Sequence, residues 1–473
     1  MDALRAIRPD DVPPHIASVC RKLRAGGHEA WLVGGAVRDL LSGKRRAQDF
    51  DVATSAQPGE VARVFGRKVT IPTGEQHGTV TVLVAHDGGK EHVEVTTFRG
   101  EGAYSDGRRP DSVEFVRSLD EDLKRRDFTM NAIAYDPLDD RIADPFDGRA
   151  DLSRRLIRAV GDPLERFRED GLRAMRAVRF AAQLGFTIDP ATEAAIPRAL
   201  DVFRKVSAER VRDELIKILS SPRPSLGLEL MRTTGLLADV IPELLEGVGF
   251  TQNRFHAHDV WRHTLSAVDE TAPLSTTQSP WTVRMAALLH DVAKPRTAAP
   301  KEDSPTERTF YRHELVGADL SDAILRRLKV STREREHVVN LVRNHMFWYA
   351  AEWTDGTVRR FISRVGTDAL DDLFALREGD VRARGKDESP EKEIGELRVR
   401  VADQLRAQAA LKVSDLAVGG ADVMRVLDCK PGPIVGEVLR RLLERVLDDA
   451  QLNTYEKLEA LVPELAREAG FVK

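Results

Sequence analysis

The stretch AWLVGGAVRDLLSGKRRAQDFDVAT, residues 30–54, establishes the architecture of the first part of the chain. An apolar run ends in a Gly-Gly pair, a helical pattern follows, and a second apolar run carries two aspartates. From there to about residue 145, short runs rich in Val, Ile, Thr and Phe alternate with turns, which is the spacing of β-strands. We therefore predict a mixed α/β region up to about residue 150.

Beyond that region the strand patterns stop. Apolar residues then recur at intervals of three and four, as in LRAMRAVRFAAQLGF at 172–186, which predicts helix after helix. Two stretches, 245–258 and 382–393, lack an apolar period and are predicted to be joints between domains. The overall class predicted is α+β, with the sheet first and the helices after it.

Composition limits the classes of protein that the chain can belong to. Its 473 residues are 42% hydrophobic and 31% charged, which excludes a disordered or fibrous protein. The formal net charge is −4, so any binding of nucleic acid must use a local basic surface. With two cysteines, Cys20 and Cys429, the chain can form neither a disulfide framework nor a four-cysteine zinc site. Neither a signal segment nor a membrane span is evident, and we predict a cytoplasmic protein without a membrane partner.

The first candidate site lies at the strand-to-helix turn. Gly34 and Gly35 lack Cβ atoms, so backbone N–H groups and the start of the helix could approach a phosphate there. Arg38 follows one turn later and could bind the same phosphate. An ordinary turn is the competing interpretation of a Gly-Gly pair.

Three acidic residues form the second feature. Asp49 and Asp51 are two residues apart in an apolar run, so a strand would point both to one side of the sheet. Glu94 lies between Val93 and Val95, and a neighbouring strand would add it to the same cluster. Hard oxygen donors in such a cluster suit Mg²⁺ or Mn²⁺, whereas a solvated acidic strand face is the simpler alternative.

A third pattern occurs in the helical region. Asp170, Arg173, Arg176 and Arg179 recur every three residues, which predicts a stripe on one helix face. Exposed ion pairs are the ordinary explanation of such a stripe. An aspartate acceptor beside an arginine donor is, however, complementary to the pairing edges of cytosine and adenine and mismatched to those of uracil and guanine.

Taken in order, four motifs carry a resemblance to a known family. GGAVRD at 34–39, the D-x-D pair, RRDFTMNA at 125–132 and REDGLRAMRAVRFAAQLGF at 168–186 resemble the motifs of class II tRNA nucleotidyltransferases, the CCA-adding enzymes and their poly(A) polymerase relatives. The resemblance implies a DNA polymerase beta-like palm sheet with two metal ions. It also implies template-independent addition of C, C and A to tRNA from CTP and ATP, with release of pyrophosphate.

The same resemblance implies roles for individual residues. The catalytic acids would be Asp49, Asp51 and Glu94, the first two as metal ligands. Asp170 and Arg173 would read the base. The residues implied to hold the nucleotide are Gly34, Gly35, Arg38, Arg126, Arg176 and Arg179, with Arg125 a weaker candidate. We interpret Glu209 and Arg210 as structural residues of an amphipathic helix.

The competing activities within this family are poly(A), CC-only and A-only addition. The glycine-rich stretch RGEGAYSDGRRP at 99–110 predicts a loop beside the site, and in the family such a loop favours full CCA addition.

Histidines and aspartates in the second half of the chain form a fourth pattern. His263, the pair His290–Asp291, His313, His345 and Asp380 occur in the order H, HD, H, H, D, which resembles the HD phosphohydrolase superfamily. The resemblance implies a first ion on His263, His290, Asp291 and Asp380, and a second on His313 and His345. The ion would be a divalent transition metal or Mg²⁺, and the substrates cyclic phosphates or phosphomonoesters at RNA ends. Core histidines in a degenerate, structural domain are the alternative.

These patterns predict four domains. They are a nucleotidyltransferase head at 1–150, a helical nucleotide-selecting and RNA-binding body at 151–245, an HD domain at 246–390, and a C-terminal tRNA-binding module at 391–473. A further alternative is an HD phosphohydrolase whose transferase half only binds RNA, although clustered acids bring no benefit to a binding module. The oligomeric state cannot be predicted from these patterns.

Overall fold

The computed structural model describes residues 4–43, 49–86, 88–100, 115–252, 258–274, 279–301, 304–384, 391–407 and 409–471. Most of the predicted loop at 99–110 and parts of both predicted joints lie outside these ranges. The chain folds into two compact units, Met1–Pro242 and Glu243–Lys473. The finer division into four domains stays a prediction.

A mixed sheet organises the first unit. Its strand order is β3-β4-β5-β2-β1-β6-β7, and every pairing is antiparallel except that of β2 with β5. The described strands of this unit, including a separate short pair, are β1 (Ala30–Val33), β2 (Asp51–Thr54), β3 (Thr70–Gly74), β4 (Thr79–His86), β5 (Gly89–Thr97), β6 (Ala134–Asp136), β7 (Arg141–Ala143), β8 (Leu156–Ile157) and β9 (Thr187–Ile188). Apolar side chains such as Val33, Ala53 and Phe98 are buried in a core on the sheet.

Helices flank and follow this sheet, and the structure describes them as α1 (Pro14–Ala25), α2 (Gly35–Leu41), α3 (Pro58–Phe65), α4 (Leu119–Lys124), α5 (Gly148–Ser153), α6 (Pro163–Glu169), α7 (Leu172–Leu184), α8 (Pro190–Ala195), α9 (Leu200–Phe203), α10 (Ala208–Leu219), α11 (Pro224–Thr233) and α12 (Leu236–Val240). Helix α7 buries most of its residues, because small and apolar side chains such as Ala174, Ala177 and Ala181 let neighbouring helices approach closely. It packs against α10 and α11. Because so much of α7 is buried, its position relative to the sheet is well determined.

The second unit is mostly helical. Its described elements are α13 (Val260–Thr271), α14 (Pro280–Leu289), α15 (Lys294–Thr297), β10 (Ala299–Lys301), β11 (Ser304–Thr309), α16 (His313–Arg327), α17 (Thr332–Asn344), α18 (Asp355–Val365), α19 (Leu370–Arg382), α20 (Glu391–Arg406), α21 (Gly420–Leu427), α22 (Pro433–Asp448) and α23 (Tyr455–Glu468). Helices α21, α22 and α23 share a core of their own around Val438, Leu442 and Val462.

The α+β class predicted from the sequence is confirmed. The prediction that strands stop near residue 150 is wrong in detail, because β8 pairs with β9 and β10 pairs with β11 beyond that point. These four strands are at most six residues long, too short for an apolar period to be visible. In the described part of the chain, no helix combines the length and the apolar character needed to cross a bilayer.

Two candidate sites for nucleotide and metal chemistry

The parallel pairing of β2 with β5 brings two acids together at the centre of the sheet. Asp51 is the register partner of Glu94, so their side chains leave the same face of neighbouring strands. Val93 and Val95 are fully buried on the opposite face, as the period of two predicts. Burial and the charge of Glu94 raise the pKa of the Asp51 carboxyl from 3.8 to about 6. This pair is therefore a concentration of negative charge that a divalent cation would neutralise.

Asp49 reaches the same neighbourhood by a different route from the one predicted. It precedes β2, is exposed, and has φ 57, so it does not continue the strand alternation. The prediction that both aspartates lie in the strand is wrong, because the left-handed backbone at Asp49 interrupts the extended run. Its charge nevertheless contributes to the raised pKa of Asp51, so the two carboxylates are close.

The Gly-Gly turn lies directly against these acids. A Cβ atom on Gly34 would be 3.5 Å from Asp51 Oδ2 and 3.4 Å from Arg126 Nη1, and the residue has φ +76, a conformation that favours glycine. Gly35 begins α2, and Arg38 lies over it, with Nη2 3.6 Å from where a Gly35 Cβ would be. Gly34 is therefore needed for the close approach of the turn to the acids.

A cavity of about 360 Å³ connects the acids to the helical region. Four side chains predicted to hold or read the nucleotide line it together with Asp51 and Glu94: Arg126, Asp170, Arg173 and Arg176. The structure thus brings together residues from β2, from β5, from the segment after α4, from the short segment between α6 and α7, and from α7 itself. Arg125, the weaker candidate, lines the same cavity.

Asp170 lies outside the helix in which the sequence pattern places it. It follows α6 with φ −145 and ψ 105, and its Oδ1 accepts a hydrogen bond from the Leu172 amide at 3.1 Å. The predicted stripe therefore begins one turn too early. Helix α7 begins after Asp170, because the backbone of Asp170 is extended. A Cβ atom added to Gly171 would lie 2.7 Å from the backbone of Phe203. Glycine at 171 permits this contact and turns the chain into α7.

Acidic partners that the sequence reasoning missed hold the cavity arginines in place. Asp127 Oδ2 accepts from Arg176 Nε at 2.8 Å and from Nη2 at 2.5 Å, and these contacts lower the pKa of Asp127 despite its burial. Arg173 donates to Glu169 at 2.5 Å and to the carbonyl oxygen of Arg125 at 2.9 Å. Buried ion pairs of this kind fix the guanidinium planes before a ligand binds.

Asp122 has the same role for the arginines after α4. It is buried, accepts from Arg125 at 2.7 Å and from Arg126 at 3.3 Å, and its pKa is lowered by those charges. Arg126 Nε is buried and has no hydrogen-bond partner among the described residues. This N–H group is therefore available to a ligand in the cavity.

Arg210 is the clearest residue that sequence reasoning missed. It is predicted to be structural, but it lines the cavity and donates to Asp170 Oδ2 at 2.7 Å. Its Nη1 is buried without a partner in the part of the chain that the structure describes. The ERVRDEL helix pattern gave no sign of this contact, because the partner lies 40 residues earlier.

Of the residues predicted to hold the nucleotide, Gly34, Gly35, Arg38 and Arg179 lie outside the cavity lining, and the two arginines among them have partners of their own. Arg38 donates to Asp39 Oδ1 at 2.8 Å and to Asn131 Oδ1 at 2.9 Å. Arg179 is buried, contacts Glu214 at 2.5 Å and lies 3.8 Å above the ring of Phe180. Their assignment to the nucleotide stays a prediction.

The second candidate site is a cluster of four histidines and two aspartates in the second unit. His263 is on α13 and Asp380 on α19, and His313 begins α16. His290 and His345 directly follow the last residues of α14 and α17. These five side chains and that of Asp291 are all buried. Neighbouring residues on a helix point in different directions, so His290 and Asp291 could not both face one ion from within α14. Helix α14 ends at Leu289, and the turn that follows lets both side chains face the same centre.

The distances divide the cluster into two groups that share Asp291. His263 Nε2 is 3.2 Å from His290 Nε2 and 3.4 Å from Asp291 Oδ2. Asp380 Oδ1 completes this group at 3.2 Å from His263 Nε2. The other carboxylate oxygen, Asp291 Oδ1, is 3.5 Å from His313 Nε2, as the second group requires.

In three rings Nδ1 faces a backbone carbonyl: Ala287 for His290 at 2.8 Å, Phe310 for His313 at 2.7 Å and Val342 for His345 at 2.7 Å. A carbonyl accepts only, so Nδ1 carries a proton and Nε2 is the nitrogen that faces the centre. Burial lowers the pKa of His313 and of His345, which favours neutral rings with a lone pair on Nε2. Two such lone pairs, on His313 and His345, are 3.3 Å apart. Ligand nitrogens on one zinc-like ion are also about 3.3 Å apart, so the donor set fits divalent cations.

Protein cations surround the cluster. Lys294 Nζ lies 2.6 Å from Asp291 Oδ2, and Arg377 Nη1 lies 2.8 Å from Asp380 Oδ2. Together with the histidines they lower the pKa of both aspartates, which stay ionised as metal ligation requires. Burial lowers the pKa of His345 well below 6.5, so this imidazole is neutral.

Three family models match the chain. They are described as the poly A polymerase head domain over 30–158, the probable RNA and SrmB-binding site of polymerase A over 185–247, and the putative domain 2 of tRNA nucleotidyltransferase over 311–462. An A-adding tRNA nucleotidyltransferase of Deinococcus radiodurans is 37% identical over 460 residues, which is 93% of this chain and 96% of the relative. The chain belongs to the tRNA nucleotidyltransferase family.

Other members of the tRNA nucleotidyltransferase family match over different lengths. A CCA-adding enzyme of Levilactobacillus brevis is 53% identical over 218 residues, 46% of this chain, and this match spans about half (53%) of the relative. The crystal structure of the Bacillus stearothermophilus CCA-adding enzyme in complex with CTP aligns with a TM-score of 0.72 and 31% identity, covering 97% of this chain and 99% of that one. The family also indicates a divalent metal, and the histidine cluster contains two groups of suitable donors.

Proposed function

We propose that the protein adds C, C and A to the 3′ end of tRNA from CTP and ATP without a nucleic-acid template. The observation that carries the proposal is the single cavity shared by Asp51, Glu94, Asp170 and Arg173. In this cavity an acid pair that would bind a cation lies beside an acceptor and a donor that would pair with a base. Solved relatives have been described in complex with CTP, with ATP and with tRNA, which supports these partners. We place this reaction in the cytoplasm, as the sequence predicts.

The acids would hold Mg²⁺ or Mn²⁺, which supplies activation of the primer hydroxyl and neutralises the triphosphate. The primer 3′-oxygen forms a bond to the α-phosphorus, the bond from that phosphorus to the bridging oxygen of the β-phosphate breaks, and pyrophosphate leaves. The proton of the hydroxyl group passes to a neighbouring proton acceptor or to water. Gly34 lets the turn approach the acids, and the held Arg126 and Arg176 orient the phosphates.

Base selection follows from the contacts of Asp170 and Arg173. Cytosine and adenine each offer an amino donor beside a ring-nitrogen acceptor, which a carboxylate and a guanidinium can pair. Arg210 holds the Asp170 carboxylate, and Glu169 holds the Arg173 guanidinium, so both groups are preorganised. A nucleotide with a carbonyl in place of the amino group offers no hydrogen-bond donor to Asp170. The unpaired carboxylate weakens the binding of that nucleotide in the transition state, and the site therefore selects against it.

The test uses tRNA that lacks its 3′ end, offered one labelled nucleotide at a time, with the added length determined on a gel. Asp170→Ala should lower the ratio of CTP to UTP incorporation, measured as kcat/KM, while Asp213→Ala, an exposed neighbour-helix control, should leave it unchanged. An unchanged ratio with a reduced rate would show that Asp170 positions the chain and does not read the base.

A-only addition is the second candidate for this site, because one of the relatives that match over 93% of this chain is an A-adding enzyme, whereas another is a CCA-adding enzyme. The same assay separates the two. Incorporation of labelled CTP onto tRNA that lacks the whole terminal CCA sequence supports CCA addition. Incorporation of ATP alone, onto tRNA ending in CC, would identify an A-only enzyme.

We further propose that the histidine cluster is a two-metal centre that hydrolyses phosphoesters. His263, His290 and Asp380 would hold one ion and His313 and His345 the other, with Asp291 between them. A divalent metal supplies Lewis-acid activation of a water molecule. The water oxygen bonds to phosphorus, the phosphorus–oxygen bond to the ribose breaks, and that oxygen takes up a proton.

This second proposal is tested by metal content as well as by activity. The wild-type protein is reconstituted with Mn²⁺, Co²⁺, Ni²⁺ or Mg²⁺ in turn. It should bind two more metal ions per chain than the His290→Ala/Asp291→Ala double variant. The double variant should keep full nucleotide addition, since its substitutions are confined to the second unit. If the wild type hydrolyses neither 2′,3′-cyclic nucleotides nor phosphomonoesters, the cluster is structural.

A further inference from the structure

Two aromatic side chains in the second unit are exceptional in their exposure. Among the described residues, Tyr311 and Trp348 are the most exposed large hydrophobic side chains, at 80% and 73%. Single exposed aromatic residues are common on protein surfaces and need no explanation. The position of this pair in the chain does need one.

Both residues are close in sequence to histidines of the second group, His313 and His345. Tyr311 lies two residues before His313, and Trp348 lies three residues after His345. The two imidazoles are in contact, with 3.3 Å between their Nε2 atoms. Because successive Cα atoms are 3.8 Å apart, the Cα atom of Tyr311 is within about 8 Å of that of His313, and that of Trp348 within about 11 Å of that of His345.

The segment that carries Trp348 is held in an alternating pattern. Phe347 and Tyr349 are buried on either side of it, at 6% and 8% exposure, while Met346 and Trp348 face outward. Phe347 packs against the rings of Phe361 and Phe374, and Tyr349 packs against Trp353. These contacts fix the backbone, so the outward direction of Trp348 belongs to the fold and is not a free excursion of a surface side chain.

A phosphate-binding centre with an aromatic surface beside it is the combination that a nucleotide requires. Metal ions bind the phosphate, and the base, one sugar away, stacks on an aromatic face. Lys294 adds a positive charge at the cluster, 2.6 Å from Asp291. A partner protein would match the aromatic pair but would leave the adjacent metal ligands without a purpose.

We propose that Tyr311 and Trp348 form a stacking platform for the unpaired terminal base of an RNA strand whose end phosphate lies at the histidine cluster. The proposal deepens the proposed hydrolase and rests on it for the position of the phosphate. It identifies the substrate class as single-stranded RNA ends, and excludes small phosphoesters without a base as the preferred substrates.

The experiment measures binding separately from hydrolysis. The probe is a trinucleotide of RNA ending in a 2′,3′-cyclic phosphate, titrated into the full-length protein in EDTA. The affinity is taken from the heat of binding in a calorimetric titration, which gives the same readout in variants that lack Trp348. Tyr311→Ala and Trp348→Ala should each weaken binding roughly 5- to 150-fold, and Trp348→Phe should retain most of the affinity, because phenylalanine can still stack. Val399→Ala, at another exposed apolar residue of this unit, is the control and should bind as wild type does.

Hydrolysis is then compared on the metal-loaded protein with the trinucleotide, with a 2′,3′-cyclic mononucleotide and with glycerol 2-phosphate. The alanine variants should lose kcat/KM on the trinucleotide and keep it on glycerol 2-phosphate. A larger loss on the trinucleotide than on the mononucleotide identifies an RNA end, whereas equal losses identify a free nucleotide and overturn the RNA assignment. Unchanged trinucleotide affinity in both alanine variants overturns the platform. Aromatic-dependent binding in a wild type that hydrolyses nothing refutes the hydrolase but supports the platform.

Discussion

Substitution of Asp51 by asparagine should stabilise the metal-free first unit while abolishing nucleotide addition. Asp51 faces Glu94 across the parallel strand pair, and burial with that charge raises its pKa from 3.8 to about 6. An acid with a raised folded-state pKa is a destabilising group above that pKa, since folding then disfavours its ionised form. This destabilisation develops between about pH 4 and pH 6 and is fully present at pH 7.5.

The magnitude follows from the pKa. A rise from 3.8 to about 6 corresponds to about 3 kcal/mol. Water around the partly buried carboxylate screens part of this, so we expect a gain of about 2 kcal/mol for Asp51→Asn in EDTA at pH 7.5. At pH 4 the gain should vanish, because the wild-type carboxyl is then protonated when folded. Millimolar Mg²⁺ should stabilise the wild type and not the variant.

Hydrogen exchange of the peptides that cover β2 and β5, followed by mass spectrometry, measures this local stability without requiring both units to unfold together. Asp120→Asn, at an exposed acid of the same unit, should change it by less than about 0.5 kcal/mol. If Asp51→Asn exchanges as fast as the wild type in EDTA, or if Mg²⁺ protects both proteins equally, the acid pair is not the cation site.

Three further predictions concern the residues that shape the cavity. Arg210→Ala should reduce kcat/KM for CTP at least tenfold, because it frees the Asp170 carboxylate, whereas Arg212→Ala should not; equal effects in the steady-state assay would assign Arg210 a purely structural role. Asp127→Asn should destabilise the first unit by about 2 kcal/mol near neutral pH, because its partly exposed partner Arg176 loses a buried carboxylate. Since the pKa of Asp127 is lowered, its stabilisation is present above about pH 4 and is lost in more acidic solution, so urea titrations of wild type and variant should converge as the pH falls, and parallel curves would contradict the pair. Gly171→Ala should cost about 1 to 3 kcal/mol, because its Cβ would lie 2.7 Å from backbone atoms, and thermal unfolding indistinguishable from that of Gly59→Ala would show that the chain accommodates it.

Local patterns in the sequence were sufficient for several features of this protein. The period of two around Glu94 predicts its exposed face and the buried Val93 and Val95, and the structure agrees. This alternation could be read directly, because it is a property of neighbouring residues. The resemblance of the histidines and aspartates to the HD superfamily implies a common centre, and all six side chains converge in two groups of three.

Tertiary structure alone decided how these parts combine. Asp49 leaves the strand through a left-handed backbone, and Asp170 lies before its helix with an extended backbone. Gly171 passes close to the backbone of Phe203, where a Cβ atom would not fit. Arg210 joins Asp170 across 40 residues, and Asp127 holds Arg176 across 49. Periodicity reports which face of an element is buried and does not report which distant element covers it. The partners of the cavity arginines, and the sharing of Asp291 between two histidine groups, therefore follow from packing between elements far apart in the chain.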